Sequence, residues 1–432
     1  MEGTQKTPVR AILIAVGCFL MNVFILGMLG ATKSQFIVYI SEDMGWQNSF
    51  FTLCISISSF IISVISFVFV YVRKVLKSLR LVLITGIVLY IIAYLLAALA
   101  PSKVTMVLWA VITGIAFAFL ADIPISIFVH NWFPPDKQGR ALGLIFTGSG
   151  VGGMIFNPIV QSLVAHYGWR TSFIIMVSIA VVGVLPIIIL GKERPNAQSG
   201  ANVQEQKEEA AKEQKFGLST VLKLPNMIIF LLVSFFTGFS MGPIYANIAP
   251  MLKSAGIEMG TVSVIMSAVY FILILSKIVV GILNDKVGVK FTVTLQTVTD
   301  IIGCIIMLII LNVYPSPVLG FSFAFFFGIA YSWQSLTPPT SIKYMYDAIY
   351  FSSVVTVMQA MTHLGGAVSP FVASLLKEAT GSYNIILIAY ASLVFICIFG
   401  YHFLFHRRDK ELKARAMAAG EIAANAETNI PE

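Results

Sequence analysis

The sequence predicts an all-α membrane protein, with twelve transmembrane helices in two six-helix halves. Three observations predict it. Of 432 residues, 58% are hydrophobic and 11% charged, and the mean hydropathy is +0.89, far from the soluble average. Apolar runs of about 20 residues, the length that crosses the hydrocarbon as a helix, recur along the whole chain. Landmarks also repeat at a near-constant offset. Gly27 and Gly45 lie 211 residues before Gly238 and Gly256, and Arg80 lies 210 before Lys290. Gly152 and Gly153 lie 213 before Gly365 and Gly366, and Pro158 lies 212 before Pro370. Such a repeat implies two copies of one six-helix unit, with a site at their interface.

The first six spans are placed at 11–38, 47–71, 81–99, 104–127, 141–165 and 171–191. The second six are placed at 226–250, 259–283, 291–312, 317–338, 351–376 and 383–405. The halves are then 1–191 and 225–406, joined by a linker at 192–224 and followed by a tail at 407–432. The linker contains the polar run QEQKEEAAKEQK at 204–215 and reads as a solvated connection. The first apolar run is too long for a signal peptide and reads as an uncleaved helix.

Charge sets the expected orientation. With the N-terminus inside, 22 of the 28 Lys and Arg fall on the cytoplasmic side. This places both termini in the cytoplasm, and the chain is expected in the plasma membrane of a bacterial-type cell. The tail cluster Arg407, Arg408, Lys410, Lys413 and Arg415 reads as a topology determinant that can also touch anionic lipid. The charge of +8 is spread over loops between apolar spans, so it does not point to nucleic acid. Cys18, Cys54, Cys304 and Cys397 all lie in apolar runs and are expected to be free thiols. No P-loop, zinc-ligand spacing or Ser/His/Asp elbow is present, so an enzyme, an ATP-driven pump, a metal site and a cofactor are not expected.

Two loops carry a family resemblance. GILNDKVGVK at 281–290 matches G-x-L-x-D-[RK]-x-G-x-[RK] at Gly281, Asp285, Lys286, Gly288 and Lys290. This resembles the loop signature of the major facilitator superfamily, which implies a gating loop on the cytoplasmic face. Asp285 is expected to approach the N-terminus of the span at 351, where the helix dipole favours negative charge. The equivalent YVRKVLKSLR at 71–80 keeps only the basic character. NWFPPDKQGRALGLIFTGSGVGG at 131–153, then Gly168-Trp169-Arg170 and ATGSY at 379–383, resemble the monocarboxylate-porter branch, which includes bacterial oxalate/formate-type antiporters. The acidic motif that eukaryotic members carry at the start of the first helix is absent. Leu273 stands where they carry an Asp one turn before the basic residue of the eighth helix.

The resemblance implies a secondary transporter of a small organic anion, driven by protons or by a counter-anion and working as a monomer. Lys277 stands at the branch's basic position in the eighth span and reads as a counter-ion for a substrate carboxylate. The competing reading is an interfacial lysine with its stem along the helix. Lys33 resembles the lysine-serine pair of the first helix, again with an interfacial alternative. His363 in the eleventh span is a substrate-binding or proton-sensing candidate, or a structural histidine. Asp122 in the fourth span is a candidate proton carrier. Asp300 in the ninth reads as a structural hydrogen bonder. Asn22, Tyr245, Asn247, Tyr331, Trp333 and Gln334 are candidate cavity residues, although membrane aromatics more often serve packing. Rival readings are a drug or other small-solute exporter of the same fold, a non-transporting sensor and a channel. The short linker and tail disfavour a sensor, and the two-fold repeat disfavours a channel.

Overall fold

The computed structural model describes residues 9–76, 78–99, 101–191, 221–346 and 350–427. The linker run at 204–215 lies outside them. Among the described residues the chain is helical and carries no strand. Among the described residues, nine stretches are long and apolar enough to cross a membrane. One of these, Arg140–Leu190, has 51 residues. As one helix it would measure roughly 75 Å, more than twice the hydrocarbon thickness. It breaks at Gly168, where φ 73° and ψ 165° leave the helical region, so it makes two crossings. Two further crossings are Pro317–Tyr331 continued by Trp333–Met345, and Phe351–Thr380. They carry more polar residues than the rest, and with them the order of twelve spans is complete.

The spans, numbered in chain order, depart from their expected limits mainly at the ends. Span 1 runs Val9–Met44 and contains a π-helical segment, Val23–Gly30. Span 12 was expected to stop near 405 but continues as one helix, Asn384–Glu427. Apolarity ends at the membrane surface, whereas the Ala-, Glu- and Lys-rich sequence beyond it keeps a high helix propensity. That extension is anchored where Asp409 accepts hydrogen bonds from Lys290 and Tyr344. Arg407 also donates to Asn226 at 2.7 Å.

Both halves pack by the same contact. Span 1 lies on span 5, and span 7 (Met227–Ser254) lies on span 11 (Phe351–Thr380). A Cβ added at Gly27 would lie 2.5 Å from the Cα of Gly152, and one at Gly152 would lie 2.2 Å from the Val23 carbonyl oxygen. In the other half, a Cβ at Gly238 would lie 2.0 Å from the Thr362 carbonyl oxygen, and one at Gly365 would lie 2.2 Å from that of Phe235. These are the repeated glycines of the sequence. Where lipid replaces water, close backbone approach is a main source of helix association. Turn glycines repeat as well: Gly45 and Gly256 end spans 1 and 7 with φ of 64° and 89°, a region costly for any residue with a Cβ.

Across the halves, span 2 (Asn48–Leu76) pairs with span 11, and span 5 pairs with span 8 (Met259–Val287). At the end where spans 1 and 7 finish, the halves are stitched together. The Ala249 N–H donates to Ser34 Oγ at 3.1 Å, and the Ser49 N–H donates to Glu378 Oε1 at 2.9 Å. Val38 of span 1 is buried in the core of the second half.

The glycine contacts yield a first prediction. Gly152→Val and Gly365→Val should each destabilise the bundle by about 1–3 kcal/mol, the usual cost of overpacking. The thermal midpoint of detergent-solubilised protein, followed by size-exclusion fluorescence, reads this directly. Unchanged midpoints in both variants would show that these contacts do not hold each half together.

Candidate functional site

Spans 5 and 8 form the seam that organises the site. Tyr270 covers Gly153, with its ring 2.5 Å from where a Cβ on that glycine would sit. One turn further, Ile274 covers Gly150 at 2.5 Å. Continuing along the same helical face, spacings of seven and eleven from Tyr270 reach Lys277 and Gly281. At Gly281 an added Cβ would meet nothing within 4 Å, and on span 5's approach the same is true of Gly143. The seam is therefore closed at Tyr270 and Ile274 and open toward the end that carries the chain termini. Lys277 is partly buried and lies just past the last close contact, on the wall of that opening.

Aromatic side chains roof the opening. Tyr245 and Tyr331 stack with ring centroids 5.1 Å apart and planes 11° apart. Tyr270 donates to the Tyr245 hydroxyl at 3.0 Å. Ala31 from span 1 and Met154 from span 5 pack against this group, so it bridges both halves. Tyr270 escaped the sequence reading, although its seven-residue spacing from Lys277 was a usable signal.

The remaining candidates are scattered. Asn247 donates to the Pro243 carbonyl at 2.8 Å and accepts from Ser374 at 3.3 Å. Its amide thus fastens span 7 to span 11 and does not line the opening. Trp333 is buried against Tyr401 in the second half's core, which corrects its assignment as a cavity residue. Gln334 is exposed. Asn22 is fully buried beside Gly148, and its amide nitrogen and oxygen have no partner among the described residues. His363 is exposed on span 11, the helix that contacts spans of both halves. Asp300 accepts from Tyr390 at 2.6 Å, which is the structural hydrogen bond its sequence context suggested. The side chain of Asp122 lies outside the described residues; its backbone begins the helix Asp122–Trp132, which extends span 4. Lys33 lies apart from the seam, inside the first half, with Nζ 5.8 Å from the Phe117 ring centroid.

The loop at 284–290 is built by Gly288, whose φ of 100° ends span 8 while its N–H bonds the Asn284 carbonyl at 3.0 Å. Asp285 and Lys286 are exposed. The side chains of 351–353, which Asp285 was expected to approach, lie outside the described residues. Lys290 instead bonds Asp409 of the extended last helix. All four cysteines are buried and free, as expected.

A two-fold repeat of six helices, closed over an interfacial opening at one end, defines a secondary-transporter architecture. Residues 12–341, and again 230–427, match the family profile described as Major Facilitator Superfamily. The chain belongs to that superfamily, an integral, multi-pass group of membrane transporters and not of enzymes. Its relatives include an MFS-type transporter of Bacillus subtilis (strain 168), YcxA, 26% identical over 74% of this chain and 76% of that protein. Monocarboxylate transporter 12 of Mus musculus is 24% identical over 63% of this chain and 60% of its own length. The multi-drug resistance efflux pump PmrA of Streptococcus pneumoniae (serotype 4, strain ATCC BAA-334 / TIGR4) is 26% identical over 70% of this chain and 73% of its own. Among solved structures, the nucleoside transporter NupG superposes with a TM-score of 0.72 at 14% identity, covering 92% of this chain and 99% of that one. A D-xylose-proton symporter superposes at 0.69 and 14%, covering 91% and 96%. At such identity these two likenesses speak for the fold alone.

The open flank of Gly281 yields a second prediction. Gly281→Leu has room in this conformation and should fold with a midpoint near wild type. It should nevertheless block transport, because the leucine fills the gap that closes when the seam shuts at this end. Retained transport with a normal midpoint would show that the flank of Gly281 takes no part in closure.

Proposed function

We propose that the chain carries a small organic anion, a monocarboxylate or dicarboxylate, by alternating access. The driving force is a proton gradient or exchange against a second anion. One observation carries the reading: Lys277 sits on the face of span 8 that meets the other half, where the seam begins to open. An ammonium in such a low-dielectric wall favours an anionic guest, and a charged group at membrane depth is costly enough to imply a role. The relation to monocarboxylate transporter 12 supports the same substrate class. By the distribution of basic residues, the open end is the cytoplasmic one, with both termini on that side of a bacterial-type plasma membrane.

The mechanism follows from the seam. In the conformation described, the hydrogen bonds Ser34–Ala249 and Ser49–Glu378 and the buried Val38 shut the outer end. A carboxylate entering from the cytoplasmic side meets Lys277 below the tyrosine roof. Rocking of the halves then closes the flank at Gly281 and Gly143 and separates the outer contacts. The loop residues Asp285, Lys286 and Lys290 lie at the moving end. Asp122 and His363 are the ionisable groups proposed to couple protons to this cycle, and the chain acts as a monomer.

Uptake into proteoliposomes across a carboxylate panel, with and without an imposed pH gradient, tests the reading. Lys277→Gln should nearly abolish carboxylate transport without loss of folded protein, since breaking a desolvated charge pair costs about 2–5 kcal/mol. Lys277→Arg should retain part of it, because charge survives while a point charge becomes a planar fork. Near-normal anion binding by Lys277→Gln would overturn the substrate assignment. Export of lipophilic drugs with no carboxylate uptake would favour the reading suggested by the relation to PmrA.

If protons drive transport, Asp122→Asn or His363→Gln should flatten its pH dependence. Unchanged pH profiles in both would remove these residues from the coupling step.

A further inference from the structure

The first half holds a partly open cavity of about 20 Å³ that the seam does not use. Lys33 lines it, together with Phe36, Phe51, Tyr94, Trp109 and Phe173, and the rest of its wall is aliphatic. Helical phase explains why Lys33 points there. Its neighbour Ser34 faces the second half and bonds Ala249, and one residue along a helix turns the side chain by about 100°. Lys33 thus shares its face with Phe36, on the inner side of the first half.

The cavity is rich in donors. The Lys33 ammonium offers three N–H groups and no acceptor, and an indole offers one N–H and no acceptor. Trp109 is 6% exposed, and its Nε1–H has no acceptor among the described residues. The Tyr94 hydroxyl can serve either way. Among the described residues, no carboxylate lines the cavity. The Phe117 ring near Nζ eases the ammonium's desolvation but does not neutralise it.

Size and position separate this cavity from the seam. A volume of about 20 Å³ admits a guest of about one water molecule, not an organic acid. Gly27 is level with Gly152, and Tyr270 is level with Gly153. Lys33 lies six residues beyond Gly27 toward the closed end, and Lys277 lies seven beyond Tyr270 toward the open end. At about 1.5 Å per residue, the two lysines are roughly 20 Å apart along the bundle. One small dicarboxylate cannot span them.

We propose that this cavity is a second anion site, which takes a monatomic monovalent anion of chloride size on Lys33 Nζ and Trp109 Nε1–H. The anion neutralises the partly buried ammonium and fixes the outer part of span 1 against the first half. It is a resident effector, distinct from the transported substrate.

The test uses the purified full-length chain and chloride as the probe. The thermal midpoint is followed as chloride replaces gluconate at constant ionic strength and pH. Wild type should show a saturable rise of a few degrees, because a ligand that binds only the folded state stabilises it. Lys33→Met should lose the response. Trp109→Phe, which keeps the ring and removes the donor, should need at least about tenfold more chloride, the loss of one hydrogen bond to a charged group. Lys277→Gln should respond like wild type, so failure at the seam and failure here are distinguishable. Equal midpoints in chloride and gluconate would mean the cavity holds only water and would overturn the proposal. So would a normal response in Trp109→Phe, should Lys33→Met fail to fold, or a response lost in Lys277→Gln but kept in Lys33→Met.

Discussion

The structure depends on one contact made twice: a helix backbone laid directly on another helix backbone. Span 1 meets span 5 at Gly27 and Gly152, and span 7 meets span 11 at Gly238 and Gly365. In each case an added Cβ would overlap backbone atoms of the partner helix. In water such contacts would be a minor term beside hydrophobic burial. In lipid the tails are as apolar as the side chains, so van der Waals contact and close approach take over as a source of association. The contact pins spans 1 and 5 together as one body and spans 7 and 11 as another.

The cross-half pairs have a different character. Spans 5 and 8 touch through side chains, Tyr270 over Gly153 and Ile274 over Gly150, and then diverge. Spans 1 and 7 are joined at the far end by the hydrogen bond from the Ala249 N–H to Ser34 and by the buried Val38. Contacts of this kind can be exchanged for others at modest cost, whereas the glycine contacts cannot. Backbone-on-backbone contact within each half and side-chain contact between spans 5 and 8 are thus two different kinds of seam. Lys277 lies on the side-chain seam, on the face of span 8 that carries Tyr270 and Ile274. Asn247 and Trp333 lie in the firm interior of the second half and serve packing there.

The two lysines of the membrane interior differ for a related reason. Lys277 shares a helical face with residues that touch the other half, and Lys33 is one residue out of phase with the one that does. A shift of about 100° around the helix axis separates a wall of the carrier opening from the interior of one half. The chemistry of the two surroundings follows: a tyrosine-roofed opening around one, and a small donor-lined cavity around the other.

The sequence by itself determined the helical class, the two-fold repeat and the glycines that make the key contacts. These follow from composition, span length and spacing, which are local or periodic properties. It also determined that Lys277 interrupts an apolar span, because a charge inside an apolar run is legible one residue at a time. Only the tertiary structure decided which way each polar side chain faces. Asn247 turned to Pro243 and Ser374, Trp333 to Tyr401, and Lys33 to the interior of the first half. It alone brought Tyr270 to the roof and carried the last helix on to Asp409 and beyond. In a bundle whose helices are apolar on nearly every face, hydropathy no longer marks the inner face. The neighbouring helices decide it, and they are chosen by contacts more than 100 residues away along the chain, such as Gln35 with Asn157.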